Sequence, residues 1–292
     1  MELKMLNINL GAIWRCRESW QQRLYTRYGS WAVVTGASSG IGAAMVRKLA
    51  EAGLNLVLIG RSQTVLEEMA ADLTTHYGIE VRVIRLDLAL ETGVETIGAA
   101  TRALDVGLLV AAAGFGTSGS FLDACLEEEM AMLNVNCRAL LGLSWYFGRR
   151  FAQQGRGGLV LMSSIVGFQG MPFAAHYAAT KAYVQALAEA LDVELAPLGV
   201  DVLAAAPGPT QSGFATRAGM RMGMALKPGD IALPILNALG RRATALPGFL
   251  SKLLTYSLVL LPRWLRVRIM GEVMKGMTKH RLGKQDLDAD RK

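Results

Sequence analysis

Two residues set the chemical question. Tyr177 and Lys181 stand four apart in the stretch HYAATKAY, and on a helix that spacing puts both on one face. A tyrosine hydroxyl ordinarily titrates near pH 10, too high for ready proton exchange at neutrality. A close ammonium favours the phenolate and so makes the tyrosine usable as an acid or base. Such pairs are common on helix surfaces, so their surroundings decide what they mean. Ser163 and Ser164 close an apolar run, with Ser164 thirteen residues before the tyrosine. A strand-end serine and a helix carrying Tyr and Lys would meet in one crevice if the strand belongs to a parallel sheet, where ligands sit at the carboxyl ends.

The rest of the chain supplies that sheet. Residues 32–42 read AVVTGASSGIG: an apolar run suited to a strand covered on both faces, then Gly36, Gly40 and Gly42. Met45, Val46, Leu49 and Ala50 follow at helical spacing. Glycines there allow a sharp turn and let a phosphate approach the amides at a helix N-terminus. A second apolar run at 54–59 completes a strand–helix–strand unit over 31–60, about the size of a dinucleotide site. Beyond it the pattern predicts a helix at 64–77, a strand at 81–86, a helix at 90–104 and a strand at 106–112. A long helix over 122–151 follows, with no proline to break it, then a strand at 158–163, a helix at 176–195 and a strand at 200–206. Strands alternating with helices imply an α/β fold, a doubly wound parallel sheet with right-handed crossovers.

Of 292 residues, 52% are hydrophobic and 19% charged, enough for a large core. The net charge of +7 is concentrated at one end: residues 241–292 hold 12 Lys+Arg against 4 Asp+Glu, a balance of +8, which leaves −1 for 1–240. The basicity belongs to the tail, so no nucleic-acid reading is needed. Cys16, Cys125 and Cys137 lack metal-type spacing and read as reduced thiols of a cytosolic chain, with no metal site. Residues 1–11 include Glu2 and Lys4 and do not read as a signal peptide. The expected organisation is a lead-in over 1–30 with an amphipathic helix at 14–27, packed on the domain or lying on a membrane surface. A catalytic unit at 31–245 and a basic helical extension at 246–292 complete it. Within the catalytic unit, residues 210–228 are bounded by Pro209 and Pro228 and read as a lid, with Met220, Met222 and Met224 as an adaptable apolar lining.

Taken together, TGASSGIG, the block from SSIVGF to Tyr177-AATK, and APGPT resemble the short-chain dehydrogenase/reductase family, over 31–208 and more loosely beyond. RYGSWAVVTGASSGIG followed by GLNLVLIGRS is similar to the branch of 17-beta-hydroxysteroid dehydrogenases and 3-oxoacyl-CoA reductases, and LLPRWLRVRIMGEVMKGMTKHR is loosely similar to the same branch. The resemblance implies a Rossmann-type fold and a set of roles. Ser164 would hold and polarise a carbonyl, Tyr177 would donate the proton, and Lys181 would bind the nicotinamide ribose and lower the tyrosine pKa. Asn136 in LNVNCRALL would support a water-mediated relay; Asn134 fits less well by its distance to Ser164. Gly36, Ser38, Gly40, Ile41 and Gly42 would wrap the pyrophosphate. Asp87 and Leu88 match the adenine side, and Gly114, Pro207, Gly208 and Thr210 would complete the cofactor site.

Cofactor choice has a physical argument of its own. An acid at the end of the second strand would bind the 2′-hydroxyl of NAD and repel a 2′-phosphate. Gly60 occupies that position and Arg61 follows, a side chain suited to bidentate phosphate contact, so NADP(H) is favoured. One departure stands out: Ala111, Ala112 and Ala113 precede Gly114 where the family usually carries Asn-Asn-Ala, which implies a less rigid strand end. Near the C-terminus, the apolar stretch 258–261 is cut by Pro262 and is too short for a confident membrane span. With Arg263, Arg266 and Arg268 it suits an interfacial helix on anionic lipid, or a helix pair packed over the pocket or a partner subunit. The expected activity is NADPH-dependent interconversion of a carbonyl and a secondary alcohol on an apolar, acyl or steroid-like substrate. A homodimer or homotetramer is expected, in the cytoplasm or peripheral at a membrane surface. Alternatives are a retinol- or sugar-type dehydrogenase of the same fold, or an NADP-binding regulatory protein without turnover. The intact Ser–Tyr–Lys set argues against the last.

Overall fold

The computed structural model describes residues 19–221, 223 and 225–289. Cys16, Met222 and Met224 lie outside the described residues, as does the start of the expected lead-in helix. What is described of that helix is α1 (Trp20–Tyr28), capped by Ser19, whose hydroxyl accepts from Gln22 N. It packs on the protein: Leu24 and Tyr28 are fully buried, Tyr28 donates to Asp201 at 2.7 Å, and the Arg23 guanidinium donates to the carbonyls of Leu236 and Leu239. Its buried face therefore turns to the core beside the sheet, so the described part of this helix is packed on the protein.

Among the described residues seven strands form one parallel sheet: β1 (Trp31–Thr35), β2 (Asn55–Gly60), β3 (Val81–Arg85), β4 (Val106–Ala111), β5 (Gly157–Met162), β6 (Val200–Ala205) and β7 (Thr244–Ala245). Their order is β3-β2-β1-β4-β5-β6-β7, every pairing parallel. The order reverses between β1 and β4, where a crevice opens at the carboxyl ends. Two cores sandwich the sheet, and alternate strand residues feed each: Ala32 and Val34 face one, Val33 and Trp31 the other. The first core is covered by α1, α2 (Gly40–Glu51), α3 (Gln63–Tyr77) and α9 (Pro228–Ala238). The second is covered by α4 (Gly93–Thr101), α6 (Leu140–Gln154) and α7 (Ala175–Leu195). Complete burial explains why β1, β4 and β5 read as unbroken apolar runs.

The long helix expected over 122–151 is interrupted. It begins with a single tight turn at Phe121–Asp123, continues as α5 (Leu126–Leu133), widens into a π-turn at Asn134–Ala139 and resumes as α6. Absence of proline kept the axis continuous but could not reveal the widened turn, which marks functional positions often enough to draw attention to Asn136. The lid contains a short helix, α8 (Gly213–Arg217), and its ends are tied together by Gln211 N to Leu226 O and Leu226 N to Pro209 O. The C-terminal extension forms α10 (Phe249–Val259) and α11 (Arg263–Ala289), separated at Pro262. Ser251 of α10 accepts from Gly208 N, and the lid's Arg221 N donates to Met277 O of α11, so both helices roof the crevice. Among the described residues no helix is long and apolar enough to cross a membrane.

Candidate active site

A cavity of about 500 Å³ lies at the carboxyl ends of the central strands. Its first wall is backbone. Gly36 has a left-handed φ of 67°, and a Cβ there would sit 2.8 Å from Ala113 N. A Cβ on Gly42 would collide with the Gly36 carbonyl. The turn is therefore packed against its own strand neighbours without room for side chains. Gly40, Ile41 and Gly42 then open α2 towards the cavity, and the helix N-cap, Ser39, makes no side-chain capping bond. The first-turn amides are thus left for an anionic group. Arg61 lines the far end of this wall.

The opposite wall carries the chemistry. Ser164 ends the β5 segment and Tyr177 and Lys181 share the inward face of α7, all three buried and lining the cavity. Burial pushes the Tyr177 hydroxyl well above its ordinary value, and the neighbouring Ser164 hydroxyl pulls the other way. Burial lowers Lys181 to about 8, opposed by Cys137. The lysine ammonium donates to Met162 O at 2.8 Å and stands 5.9 Å from the Tyr177 ring centroid. One turn along α7 brings Lys181 to the strand-end carbonyl and beside the Tyr177 ring, on the face that the four-residue spacing implies. Ser163 also lines the cavity, with its hydroxyl donating to Lys181 O at 3.0 Å.

Asn136, fully buried, sits just behind. Its Oδ1 accepts from Phe115 N at 3.1 Å, and its Nδ2 donates to Phe115 O at 2.9 Å and to Thr180 Oγ1 at 3.1 Å. It thereby clamps the segment after β4 to the helix bearing Tyr177. A Cβ on Gly114 would come within 3.0 Å of Asn136 Oδ1 and 3.3 Å of Lys181 Nζ, so only glycine leaves that space. Thr35 Oγ1 accepts from Ala113 N at 3.1 Å. The loosening expected from the alanines is thus corrected: the segment is tied through its backbone by Thr35 and Asn136. Another brace fixes the start of α7, where His176 Nδ1 meets the buried Glu129 carboxylate at 2.6 Å.

Other expected residues divide by position. Pro207, Gly208 and Thr210 line the cavity beside Ser164. Ser38, Asp87 and Leu88 do not line it: Ser38 Oγ lies 3.5 Å from where a Gly60 Cβ would be, Asp87 accepts from Ala89 N, and Leu88 is buried. The sequence offered a lid and, as one alternative, a helix pair over the pocket, but not the roof residues of α11. Met171, Met270, Met274 and Met277 join Met220 as an apolar lining, with Phe214 packed on Tyr177 at 5.2 Å between ring centroids. The spacing 270, 274, 277 was a helical stripe open to reading; Phe115 and Arg217, isolated in loop-like sequence, gave no signal.

Comparison with known proteins bears on these walls together. Residues 30–221 match the model described as short chain dehydrogenase. A 7beta-hydroxysteroid dehydrogenase of Collinsella aerofaciens is 35% identical over 179 residues, 61% of this chain and 68% of that protein. A very-long-chain 3-oxoacyl-CoA reductase of Podospora anserina is 35% identical over 62% of this chain, which spans 54% of that relative's length. Among solved structures, a short-chain dehydrogenase from Sphingobium yanoikuyae in complex with NADPH superposes with a TM-score of 0.73 at 29% identity, covering 79% of this chain and 92% of that one.

Proposed function

Since the chain belongs to the short chain dehydrogenase family, we propose that it interconverts a carbonyl and a secondary alcohol on an apolar, acyl or steroid-like substrate using NADP(H). The observation that carries this is that Ser164, Tyr177 and Lys181 line one cavity, between a glycine turn with uncapped amides and a methionine-lined roof. A substrate carbonyl placed between the two hydroxyls accepts hydrogen bonds from both. Gly36, Gly40, Ile41 and Gly42 would hold a reduced nicotinamide cofactor, which when bound would supply hydride for the carbonyl carbon. As negative charge grows on the oxygen, Ser164 stabilises it and Tyr177 delivers its proton. The charged Lys181 stabilises the phenolate left behind and binds ribose hydroxyls, while Asn136 keeps the Phe115 segment and α7 in register.

NADP(H) is favoured because β2 ends in Gly60 with Arg61 on the cavity wall, and a neighbour of known structure carries NADPH. The soft apolar roof favours a large apolar substrate over a sugar, in keeping with the names of the relatives. The exposed stripe Leu126, Met130, Leu133, Leu141 and Trp145 along α5 and α6 is read as the contact of a homodimer or homotetramer. A cytoplasmic enzyme touching a membrane surface fits the roof's outer side, where Leu260 is 89% and Trp264 61% exposed beside Arg263 and Arg268. Co-sedimentation with anionic and neutral liposomes tests that contact; salt-sensitive binding to the anionic ones is expected, and binding to neither refutes it.

The activity is tested by offering steroid ketones, 3-oxoacyl-CoA esters, retinal and sugar ketones with each nicotinamide cofactor, read by nicotinamide absorbance. Turnover of a bulky apolar ketone with NADPH is expected. Turnover confined to sugars or to NADH, or none with any ketone, contradicts the reading.

A further inference from the structure

Arg217 ends the lid helix α8 and lines the same cavity as Arg61. Its guanidinium lies 3.9 Å from the ring centroid of Phe115, a cation–π stack. Phe115 is itself held at both amide and carbonyl by Asn136. The other end of α8 is braced as well. Its N-cap Ser212 accepts from Phe214 N, and a Cβ on Gly40 would lie 3.3 Å from Ser212 Cβ. The lid helix therefore spans the cofactor wall, from the start of α2 at one end to the segment after β4 at the other.

The charges on that wall are unbalanced. Among the described residues neither Arg61 nor Arg217 makes an ion pair with a carboxylate. The Arg217 charge is disfavoured first by burial and next by Arg61, and only partly offset by Glu128 and Asp87. Two guanidinium groups brought towards one cavity repel each other unless an anion stands between them. Planar guanidinium pairs suit a phosphate, each donating two parallel hydrogen bonds.

We infer that Arg217 is a second cofactor-specificity residue, delivered by the lid, which together with Arg61 grips the 2′-phosphate of NADP(H). This rests on the NADP(H) reading above. In consequence the phosphorylated cofactor latches α8 closed, whereas NAD(H), which lacks that phosphate, leaves the lid without this tie. Cofactor preference and closure of the substrate site become one event.

The experiment measures equilibrium binding of NADPH and NADH to the wild type, Arg217→Ala, Arg217→Met, Arg217→Lys and Arg61→Ala by calorimetry. Chymotryptic cleavage at Phe214 reports lid closure. Loss of a charge-assisted bond predicts about a tenfold to hundredfold weakening of NADPH by Arg217→Ala, with NADH little changed. Arg217→Met, which retains length and packing on Phe115 without charge, loses as much; Arg217→Lys regains part. NADPH protects Phe214 better than NADH does in the wild type, and that difference disappears in Arg217→Ala. Should Arg217→Ala and Arg217→Met leave NADPH affinity unchanged, or weaken both cofactors equally, while Arg61→Ala weakens NADPH alone, the Arg217 role is overturned and the cofactor reading stands. If the wild type shows no preference for NADPH and Arg61→Ala changes nothing, the cofactor reading falls and this inference with it.

Discussion

The two sides of the cavity are built from different materials. Along β1, α2 and β2 the wall is backbone: glycines that cannot accept a Cβ, strand ends in register and amides at a helix start. Across from it, α10 and α11 offer apolar side chains, among them Met270, Met274 and Met277, joined by Met171 and Met220 from elsewhere in the sequence. A backbone wall tolerates no change of shape, because its neighbours are themselves backbone. A methionine wall repacks, since an unbranched thioether side chain adapts to irregular ligands. Under the proposed function the difference separates two tasks: one side would fix a cofactor common to many substrates, and the other would adjust to a particular substrate. Ser164, Tyr177 and Lys181 stand where the two meet.

Lys181 gives the largest effect among the ways to strain this comparison, because it belongs to neither wall alone. Lys181→Met should lower turnover by about 10²–10⁴-fold. With its pKa lowered to about 8, wild-type kcat/KM should fall above that pH, roughly tenfold per unit for one proton lost. Stability runs the opposite way. The unfolded lysine, with its ordinary value of 10.5, holds a proton that the folded one has released between about 8 and 10.5, so unfolded chains bind more protons in that window. The stability of the wild type relative to Lys181→Met therefore rises across it, and below it the buried charge is a cost. Parallel pH profiles of rate and of urea unfolding check both signs; a rate that stays level to pH 10 contradicts the first.

Next in size is the glycine wall. Gly42→Ala places a methyl against the Gly36 carbonyl and should cost roughly 1–3 kcal/mol of stability as an overpacked site, with weaker cofactor binding. Gly213→Ala on the lid, where nothing lies within 4 Å of the added atom, should change neither. Urea melts of the two variants measure the contrast, and equal losses would erase the distinction between the walls. Smallest is the roof: Met270→Leu, close in volume, should cost under about 1.5 kcal/mol and shift KM for an apolar ketone a few-fold while NADPH affinity holds. A changed NADPH affinity would show that the roof also shapes the cofactor side.

The same division governs what could be read before the structure. The turn at Gly36–Gly42, the six main strands and the pairing of Ser164 with Tyr177 were legible because each rests on local rules: apolar runs for buried strands, glycine for tight turns, four-residue spacing for a shared helix face. Strand β7 has only two residues, too few for any pattern, and α9 lay beyond the motif-bearing region. The π-turn holding Asn136 leaves no compositional mark. The Lys181 ammonium lies near the tyrosine ring and also donates to a backbone carbonyl at the end of β5, a partner that no spacing rule names. Arg217 and Phe115 meet only because Asn136 fixes one and the lid carries the other. Tertiary contacts of this kind are set by the fold and have no local signature.

The central claim is that Tyr177 is the proton donor in a hydride-transfer site. Tyr177→Phe keeps the ring packed against Phe214 and removes only the hydroxyl. Its direct test is the rate of NADPH oxidation by this variant with a ketone the wild type reduces, alongside NADPH affinity by calorimetry. The expected result is a rate lower by about 10²–10⁴-fold with affinity preserved. A rate near wild type would contradict the assignment.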